Sequence, residues 1–301
     1  MSHSDPAPHA PLILSVGDLI DEVAVRLDAP WRRGSDAAAR ITRRRGGSAA
    51  NVAVAAAAAG GRSRFLGAVG ADATGDALEA ALLAAGVEPS LQRRGRSPSI
   101  VVIVEPDGER TMLPDRGVAT SLEHPGRQAL DDVSWLHVPA YSLFGEPLAT
   151  TARRLIADAA AAGLQTSVDA SSVGALEAWG GARSREELAA LGAGHLFANE
   201  EEADYLGLLT HPLPRLTCII KRGAGAAEVR DPGGALLASA MPPQLPDGID
   251  TTGAGDAFAG GFVVARAAGA PWEDALHQGH GAAARHLIAQ QGATAAQGEE
   301  R

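Results

Sequence analysis

The residues with the clearest chemical potential form the stretch Asp-Thr-Thr-Gly-Ala-Gly-Asp at positions 250–256. Gly253 and Gly255 can adopt backbone angles that other residues avoid, and the apolar run that follows predicts a buried helix beginning at this turn. A helix N-terminus offers unpaired N–H groups and a partial positive charge, which suit a phosphate or a developing anion. At that position the carboxylate of Asp256 can take a proton from a hydroxyl that attacks phosphorus. The competing interpretation is an ordinary loop with an N-capping aspartate.

Composition excludes several classes of protein. The chain has 301 residues, 46% of them hydrophobic, which suits one large α/β domain, and its formal net charge of −10 argues against a nucleic-acid partner. The single cysteine, Cys218, rules out an intrachain disulfide and is consistent with a reducing compartment. Because we find no signal-peptide pattern and no apolar run long enough to span a bilayer, we expect a cytoplasmic protein without a membrane partner.

The number of lysines limits the kinds of nucleotide-binding site that the chain can contain. Lys221 is the only lysine, and Arg222 follows it, so the chain contains no Walker A sequence. A protein-kinase-type strand lysine is equally hard to place. No Gly-x-Gly-x-x-Gly pattern occurs, which argues against a standard dinucleotide site. If the chain handles ATP, it must therefore do so with a different architecture.

Two stretches together resemble the signatures of one known family. Residues 250–263 match the second signature of the ribokinase-like (PfkB) carbohydrate kinases, in which an aspartate, two small polar residues and a Gly/Ala-rich turn precede a second aspartate. Residues 46–53, Gly-Gly-Ser-Ala-Ala-Asn-Val-Ala, with Gly60 and Gly70 downstream, are similar in spacing to the first signature. The two motifs occur in the family's order, and the resemblance extends from about residue 11 to residue 293.

The resemblance implies a particular fold, and the alternation of strand and helix patterns supports it. We expect an α/β fold with a doubly wound, mostly parallel sheet flanked by helices, occupying residues 11–293. Strands at roughly 22–28 and 98–114 show alternating or hairpin patterns. The resemblance implies that these strands form a small lid over the substrate and offer a homodimer contact. Residues 1–10 and 294–301 are expected to be disordered tails.

For the substrate, the resemblance implies a sugar or a sugar-like alcohol. Gly46 and Gly47 are expected to let the backbone approach the sugar, and Asn51 offers both a donor and an acceptor to its hydroxyls. Asn51 is also predicted to begin an alanine-rich helix. The charged run at 43–45 is expected to be solvated, with binding of a substrate phosphate as the alternative. Ser48, where phosphosugar kinases often have a lysine, favours an unphosphorylated substrate.

An acidic residue after the first strand binds the sugar in the family. Glu22 has the family's spacing from the glycine at the strand end, Asp21 lies one residue earlier, and Asp18 directly follows the strand. Polar residues at the carboxyl end of a parallel strand point into the ligand crevice of an open sheet. Asp18, Asp21 and Glu22 therefore all stay candidates for the substrate carboxylate.

The resemblance also implies sites for ATP and for cations. In the turn at 221–225, Lys221, Gly223 and Gly225 are expected near the nucleotide phosphates or ribose, and Gly281 matches the position near the adenine. The family's Asn-x-x-Glu motif maps onto Asn199 and Glu202, whose oxygens suit Mg²⁺; an acidic first turn complementing the helix dipole is the alternative. Asp250 is the candidate ligand of a monovalent cation such as K⁺.

These expectations describe an ATP-dependent kinase that phosphorylates a hydroxyl of a sugar or sugar-like substrate. Asp256 is the expected base, while Gly253, Ala254 and Gly255 supply backbone N–H groups to the transferring phosphoryl group. Two alternatives stay open, a nucleoside kinase of the same fold and a non-catalytic sugar- or nucleotide-binding protein. An aromatic content of 4% favours a sugar over a nucleoside. A binding protein has no use for the base.

Overall fold

The computed structural model describes residues 10–246 and 249–296. The strands within these residues are β1 (Leu12–Val16), β2 (Ile20–Leu27), β3 (Ala39–Gly46), β4 (Arg62–Val69), β5 (Glu88–Arg93), β6 (Ser99–Val104), β7 (Arg110–Asp115), β8 (Val133–Pro139), β9 (Gln165–Asp169), β10 (His195–Asn199), β11 (Thr217–Lys221), β12 (Ala227–Arg230) and β13 (Leu236–Ala240). The α-helices are α1 (Ser48–Ala58), α2 (Ala73–Ala84), α3 (Leu148–Ala161), α4 (Val173–Trp179), α5 (Gly181–Ala190), α6 (Glu200–Tyr205), α7 (Ala254–Ala267) and α8 (Trp272–Ala296).

The larger sheet has nine strands in the order β13-β12-β11-β10-β9-β8-β1-β4-β5. The strands from β11 to β5 pair in parallel, and only the edge strands β12 and β13 run antiparallel. This arrangement confirms the predicted doubly wound, mostly parallel sheet. Strand β1 pairs with β4 on one side and β8 on the other, so the strand order reverses beside it. In open α/β sheets, ligands bind outside the carboxyl ends of the strands at such a reversal.

Both faces of the larger sheet are covered by helices, as strand β1 shows. Leu12 and Leu14 lie in the apolar cluster that includes Leu155 of α3, whereas Ile13 lies in the cluster that includes Phe262 of α7. All five residues of β1 are buried. A parallel strand covered on both faces needs apolar residues at successive positions, which is why β1 reads as a continuous apolar run.

A separate four-stranded sheet, in the order β3-β2-β6-β7, forms the lid. The predicted lid strands correspond to β2, β6 and β7, with ends shifted by one or two residues. Strand β3 was not predicted, because its arginine run was interpreted as a solvated charge cluster; it pairs antiparallel with β2 from Ile20↔Gly46 to Leu27↔Ala39. Ile41 and Met112 of the lid are 65% and 54% exposed. A homodimer formed through the lid stays a prediction.

The C-terminal helix α8 continues to Ala296, past residue 294, where the C-terminal tail was expected to begin. The remainder of the two predicted tails, residues 1–9 and 297–301, lies outside the described residues. Across the described ranges, no helix combines the length and the apolar character that a membrane crossing requires.

Candidate active site

The first turns of α1 and α7 meet at the centre of the site. Each helix begins after a glycine with positive φ, Gly47 (φ 101°) for α1 and Gly253 (φ 77°) for α7. Ser48 in the first turn of α1 donates a hydrogen bond from Oγ to Oδ1 of Asp256 in the first turn of α7, at 2.7 Å. Because each helix start carries a partial positive charge, the junction favours an anionic group.

The carboxylate of Asp256 is held through both of its oxygens. Besides the bond from Ser48, Oδ2 accepts a hydrogen bond from Nδ2 of Asn51 at 2.8 Å, which joins residues 205 positions apart in the chain. Burial raises the pKa of Asp256, and the hydrogen bonds from Ser48 and Asn51 offset only part of that rise. A carboxylate with a raised pKa is a stronger base, and this one is fixed in orientation.

Arg45, at the end of β3, sets the orientation of the Asn51 amide. Its Nη1 donates to Oδ1 of Asn51 at 2.9 Å. Since a guanidinium only donates, the amide oxygen must face Arg45, and the amide nitrogen is left to face Asp256. Ser48 was not predicted as a site residue, because the helix was expected to begin at Asn51, whereas α1 begins at Ser48. The signal was a serine directly after two glycines, a common residue type at a helix start.

The side of each glycine before α1 that would carry a side chain faces protein atoms. A Cβ on Gly47 would lie 2.2 Å from the backbone oxygen of Asp18, and one on Gly46 would lie 3.3 Å from Oε2 of Glu22. The missing side chain of Gly47 allows the start of α1 to pack against the segment after β1. The glycine pair thereby positions Ser48 and Asn51, and the approach of its backbone to the sugar stays a prediction.

The three candidate substrate acids differ in their surroundings. Asp18 is 8% exposed and accepts from Nη2 of Arg116 at 2.9 Å and 3.2 Å, while burial raises its pKa despite that arginine. Asp21 lies directly opposite Arg45 in the β2–β3 register, and opposed residues share a face of the sheet. It therefore lies on the face from which Arg45 reaches Asn51. Glu22 lies on the other face and pairs with Arg44 at 2.5 Å.

Lys221, the only lysine in the chain, lies against the glycine turn at the start of α7. A Cβ on Gly255 would lie 3.2 Å from Nζ of Lys221, so the glycine makes room for the ammonium group. The three predicted anion-hole residues are not equivalent, since the amide of Ala254 already donates to the carbonyl of Thr251 at 3.1 Å. An anion bound here would meet the positive charge of Lys221 in addition to backbone N–H groups.

A buried acid keeps Lys221 charged. Nζ of Lys221 donates to Oδ2 of Asp169 at 2.7 Å, and the two side chains are 14% and 7% exposed. Burial lowers the pKa of Lys221, but Asp169 and Glu202 more than compensate, and the net shift is upward. Asp169 was not among the predicted site residues. It ends strand β9, and an acid at the carboxyl end of a buried parallel strand was the available signal.

Asn199 and Glu202, the predicted magnesium ligands, form a capping box at the start of α6. The backbone N–H of Asn199 donates to Oε2 of Glu202 at 2.7 Å, and the N–H of Glu202 donates to Oδ1 of Asn199 at 2.8 Å. Burial, reinforced by the nearby Asp169, raises the pKa of Glu202 to about 7. Residues 10–246 and 249–296 contain no group of three or more His, Cys, Asp or Glu placed to hold a metal. The predicted role of this pair stays a prediction.

The predicted nucleotide residues are only partly brought together. A cavity of about 430 Å³ is lined by residues of α6 and of the turn after β11: Asn199, Glu200, Glu201, Asp204, Lys221, Arg222 and Gly223. Gly225 closes that turn, with its N–H donating to the carbonyl of Arg222 at 2.7 Å. Gly281 lies within α8, where the nearest atom to its missing side chain is Nη1 of Arg285 at 3.3 Å.

The chain is similar to one known protein family over nearly its whole length. The profile of the pfkB family carbohydrate kinases matches residues 10–298. The chain belongs to this family. It is therefore a carbohydrate kinase, a phosphotransferase that acts on an alcohol group.

Solved structures of pfkB-like kinases share the fold. A putative ribokinase II from E. coli superposes with a TM-score of 0.79 at 19% identity, covering 92% of this chain and 93% of that one. Adenosine kinase from Sinorhizobium meliloti gives a TM-score of 0.76 at 22% identity, with 91% and 93% covered. Fructokinase with bound ATP from Xylella fastidiosa gives 0.75 at 22% identity, with 92% of each chain covered. At these identities the likeness extends to the fold and not to the substrate.

Proposed function

We propose that this pfkB-family kinase transfers the γ-phosphoryl group of ATP to a hydroxyl of a sugar or a sugar-like alcohol. Asp256 removes the proton of that hydroxyl, the hydroxyl oxygen forms the new bond to phosphorus, and the bond to the bridging oxygen of ADP breaks. The observation that carries the proposal is the carboxylate of Asp256, fixed by Ser48 and Asn51 where the starts of α1 and α7 meet.

The charge that develops on the phosphoryl group has two sources of stabilisation. One is the N-terminus of α7 at Gly253–Gly255, and the other is the ammonium of Lys221 beside Gly255. Both are in place before the substrates bind, so they need not reorganise during the reaction. Lys221 also lines the cavity of about 430 Å³, where we place the nucleotide phosphates.

Mg²⁺ is expected to accompany the nucleotide beside α6. Asn199 and acidic side chains line the cavity there, and Glu202 is bonded to Asn199 in the capping box. Because Mg²⁺ retains several waters, contact through water suits a carboxylate whose oxygens already accept hydrogen bonds. The ion would neutralise charge on the β- and γ-phosphates. These residues would hold it in place and take no part in the proton transfer.

The acceptor's identity depends on the crevice beneath the lid. Asp18, Asp21 and Asn51 supply carboxylate and amide groups for hydroxyls, and Arg116 lies beside Asp18. A nucleoside is the second candidate, because Tyr141, whose carbonyl accepts from Arg116, is a 38% exposed aromatic side chain that a base can stack on.

The test is an ADP-release assay with ATP and Mg²⁺ over a panel of pentoses, hexoses, phosphosugars, sugar acids and nucleosides. The Asp256→Asn variant is run in parallel. We expect turnover on one class of acceptor and a loss of about 10²–10⁴-fold in the variant, which lacks the base. Near-normal turnover by Asp256→Asn would remove Asp256 from the mechanism. No turnover, with sugar or ATP still raising the melting temperature, would instead support the non-catalytic binding protein.

A further inference from the structure

The turn before α7 contains an acidic side chain that the proposed phosphoryl transfer does not use. Oδ1 of Asp250 accepts three hydrogen bonds, from the backbone N–H of Thr252 at 3.0 Å, from Oγ1 of Thr252 at 2.7 Å and from Nη2 of Arg110 at 2.8 Å. Nη1 of Arg110 also donates to Oγ1 of Thr252. One guanidinium therefore contacts both polar side chains of the turn, and it comes from β7 of the lid.

The other side of the same turn is contacted by nitrogen atoms of two side chains of α8. The carbonyl oxygen of Thr252 lies 3.0 Å from Nε2 of His286, and it accepts from Nε2 of Gln290 at 3.3 Å. A Cβ on Gly253 would lie 2.7 Å from the same His286 nitrogen, so α8 packs directly on the turn. The turn is thus held from the lid by Arg110 and from α8 by two further side chains.

This arrangement does not fit a monovalent cation at Asp250. A cation such as K⁺ needs several oxygen acceptors, but Oδ1 of Asp250 already accepts three donors, and one of them is a positively charged guanidinium at 2.8 Å. A second cation at this distance would be repelled. A monovalent cation would have to displace Arg110 first.

We propose that Arg110 takes the place of a monovalent cation at Asp250. The guanidinium of this arginine holds the turn at Gly253–Gly255 in the conformation that binds the phosphoryl group. The inference rests on the proposed function, because it assigns a positioning residue to that same site. Its consequence is a kinase that needs no K⁺. Since Arg110 belongs to the lid, its contact with the turn is made only while the lid lies over the crevice.

The pKa of Asp250 is consistent with a persistent ion pair between Asp250 and Arg110. Burial raises the pKa of Asp250, but the hydrogen bonds from Thr252 and Arg110 outweigh this and hold it at about 2. The carboxylate therefore stays ionised at any pH used for assays. The two side chains are 40% and 34% exposed, and ion pairs with that exposure contribute little to folding stability. The pair should therefore affect the position of the turn more than the stability of the protein.

The experiment compares the wild type with Arg110→Met and Arg110→Lys. Initial rates are measured in KCl, NaCl and tetramethylammonium chloride at one ionic strength. We expect the wild type to give the same rate in all three salts. Arg110→Met should lose about tenfold or more in tetramethylammonium chloride, because the turn is misplaced, and should recover with KCl or added guanidinium. Arg110→Lys should retain most of the activity.

The control is Arg96→Met, because Arg96 pairs with Asp115, which lies at the opposite end of β7 from Arg110. We expect it to behave as the wild type. A second measurement does not need turnover: the melting temperature of the ligand-free proteins in KCl and in tetramethylammonium chloride. Only Arg110→Met should show a rise specific to K⁺.

Two results would overturn the inference. One is a wild-type protein that K⁺ activates or stabilises specifically, and the other is an Arg110→Met variant unaffected by K⁺ in both rate and melting temperature. If the wild type turns over no member of the substrate panel, the proposed function fails, whereas the melting experiment still decides the role of Arg110.

Discussion

The two sides of the crevice hold their charged groups in different ways. On the core side, Asp256 is bonded to α1 and Lys221 to Asp169 of β9, at 2.7–2.8 Å, so each group and its partner belong to the layers of the larger sheet. On the lid side, Arg110 and Arg116 reach their acidic partners only across the crevice, at 2.8 and 2.9 Å. Both arginines remain about one-third exposed, at 34% and 35%.

This difference predicts that the two sides of the crevice contribute to different kinetic parameters. Apart from Arg45 of lid strand β3, which orients Asn51, the core groups take their partners from the layers of the larger sheet, and this arrangement is the preorganisation that transition-state stabilisation requires. The lid groups lose their partners when the lid opens, so their contacts form as the substrate is enclosed. Substitutions on the core side should therefore lower kcat, and most substitutions on the lid side should raise KM. Arg110 is the exception that we propose, because its partner belongs to the catalytic turn.

After Asp256→Asn, the largest effect is expected from Lys221→Met. Removal of the ammonium beside Gly255 takes away a fixed positive charge at the phosphoryl position, and we expect kcat to fall about 10²–10³-fold. The variant should also be less stable, because Asp169 would be left buried without its partner. Steady-state kinetics and thermal melting measure the two effects separately.

The double variant Lys221→Met/Asp169→Asn is the matched control for that experiment. Its asparagine carries no charge to leave unpaired, so we expect much of the stability to return while kcat stays low. If kcat returned together with stability, Lys221 would be a structural residue, and the electrostatic part of the proposed mechanism would be wrong.

The second prediction concerns the folding stability of the protein at acid pH, and it involves only residues of the core. His137 and His195 are buried, and burial lowers the pKa of each from 6.5 to about 4. Between pH 6.5 and pH 4 the unfolded chain binds protons at these histidines that the folded chain does not, so stability must fall as the pH is lowered. Each histidine should cost on the order of 2 kcal/mol at pH 5.

Denaturant unfolding at pH 7.5 and pH 5 checks this prediction with His195→Phe. Phenylalanine keeps an aromatic ring next to Trp135, whose ring centre lies 4.6 Å from that of His195, and it cannot bind a proton. The variant should lose less stability than the wild type between the two pH values. An equal loss in His195→Phe and wild type would show that His195 is not the group that titrates.

The sequence predicted the core side better than the lid side, for a physical reason. Strand β1 and the helix after Gly255 follow from local patterns, and Asp256 and Asn51 stand at fixed places within their motifs. Their contact across 205 residues was not predicted, because nothing local to either motif indicates the other.

The arginine contacts of the lid could not be predicted. The run at 43–45 looks the same in sequence whether it is a solvated loop or strand β3, and its pairing with β2 depends on a register fixed only in the fold. Likewise, Arg110 was the single arginine of the hairpin predicted at 98–114, and its bond to Asp250 joins segments with no local connection. Long, flexible charged side chains take partners that tertiary structure provides, so their contacts are the least predictable part of the site.

The smallest effect is expected from Arg116→Ala on the lid side. Nη2 of Arg116 contacts both oxygens of Asp18, which is 8% exposed, so the substitution leaves this acid without its charged partner. The pKa of Asp18 should rise further, and its hold on a substrate hydroxyl should weaken. We expect KM for the acceptor to rise about tenfold and kcat to change little, because the contact is made in both the ground state and the transition state. A fall in kcat as large as that of Lys221→Met, with KM unchanged, would assign Arg116 to the transition state and end the proposed division between core and lid.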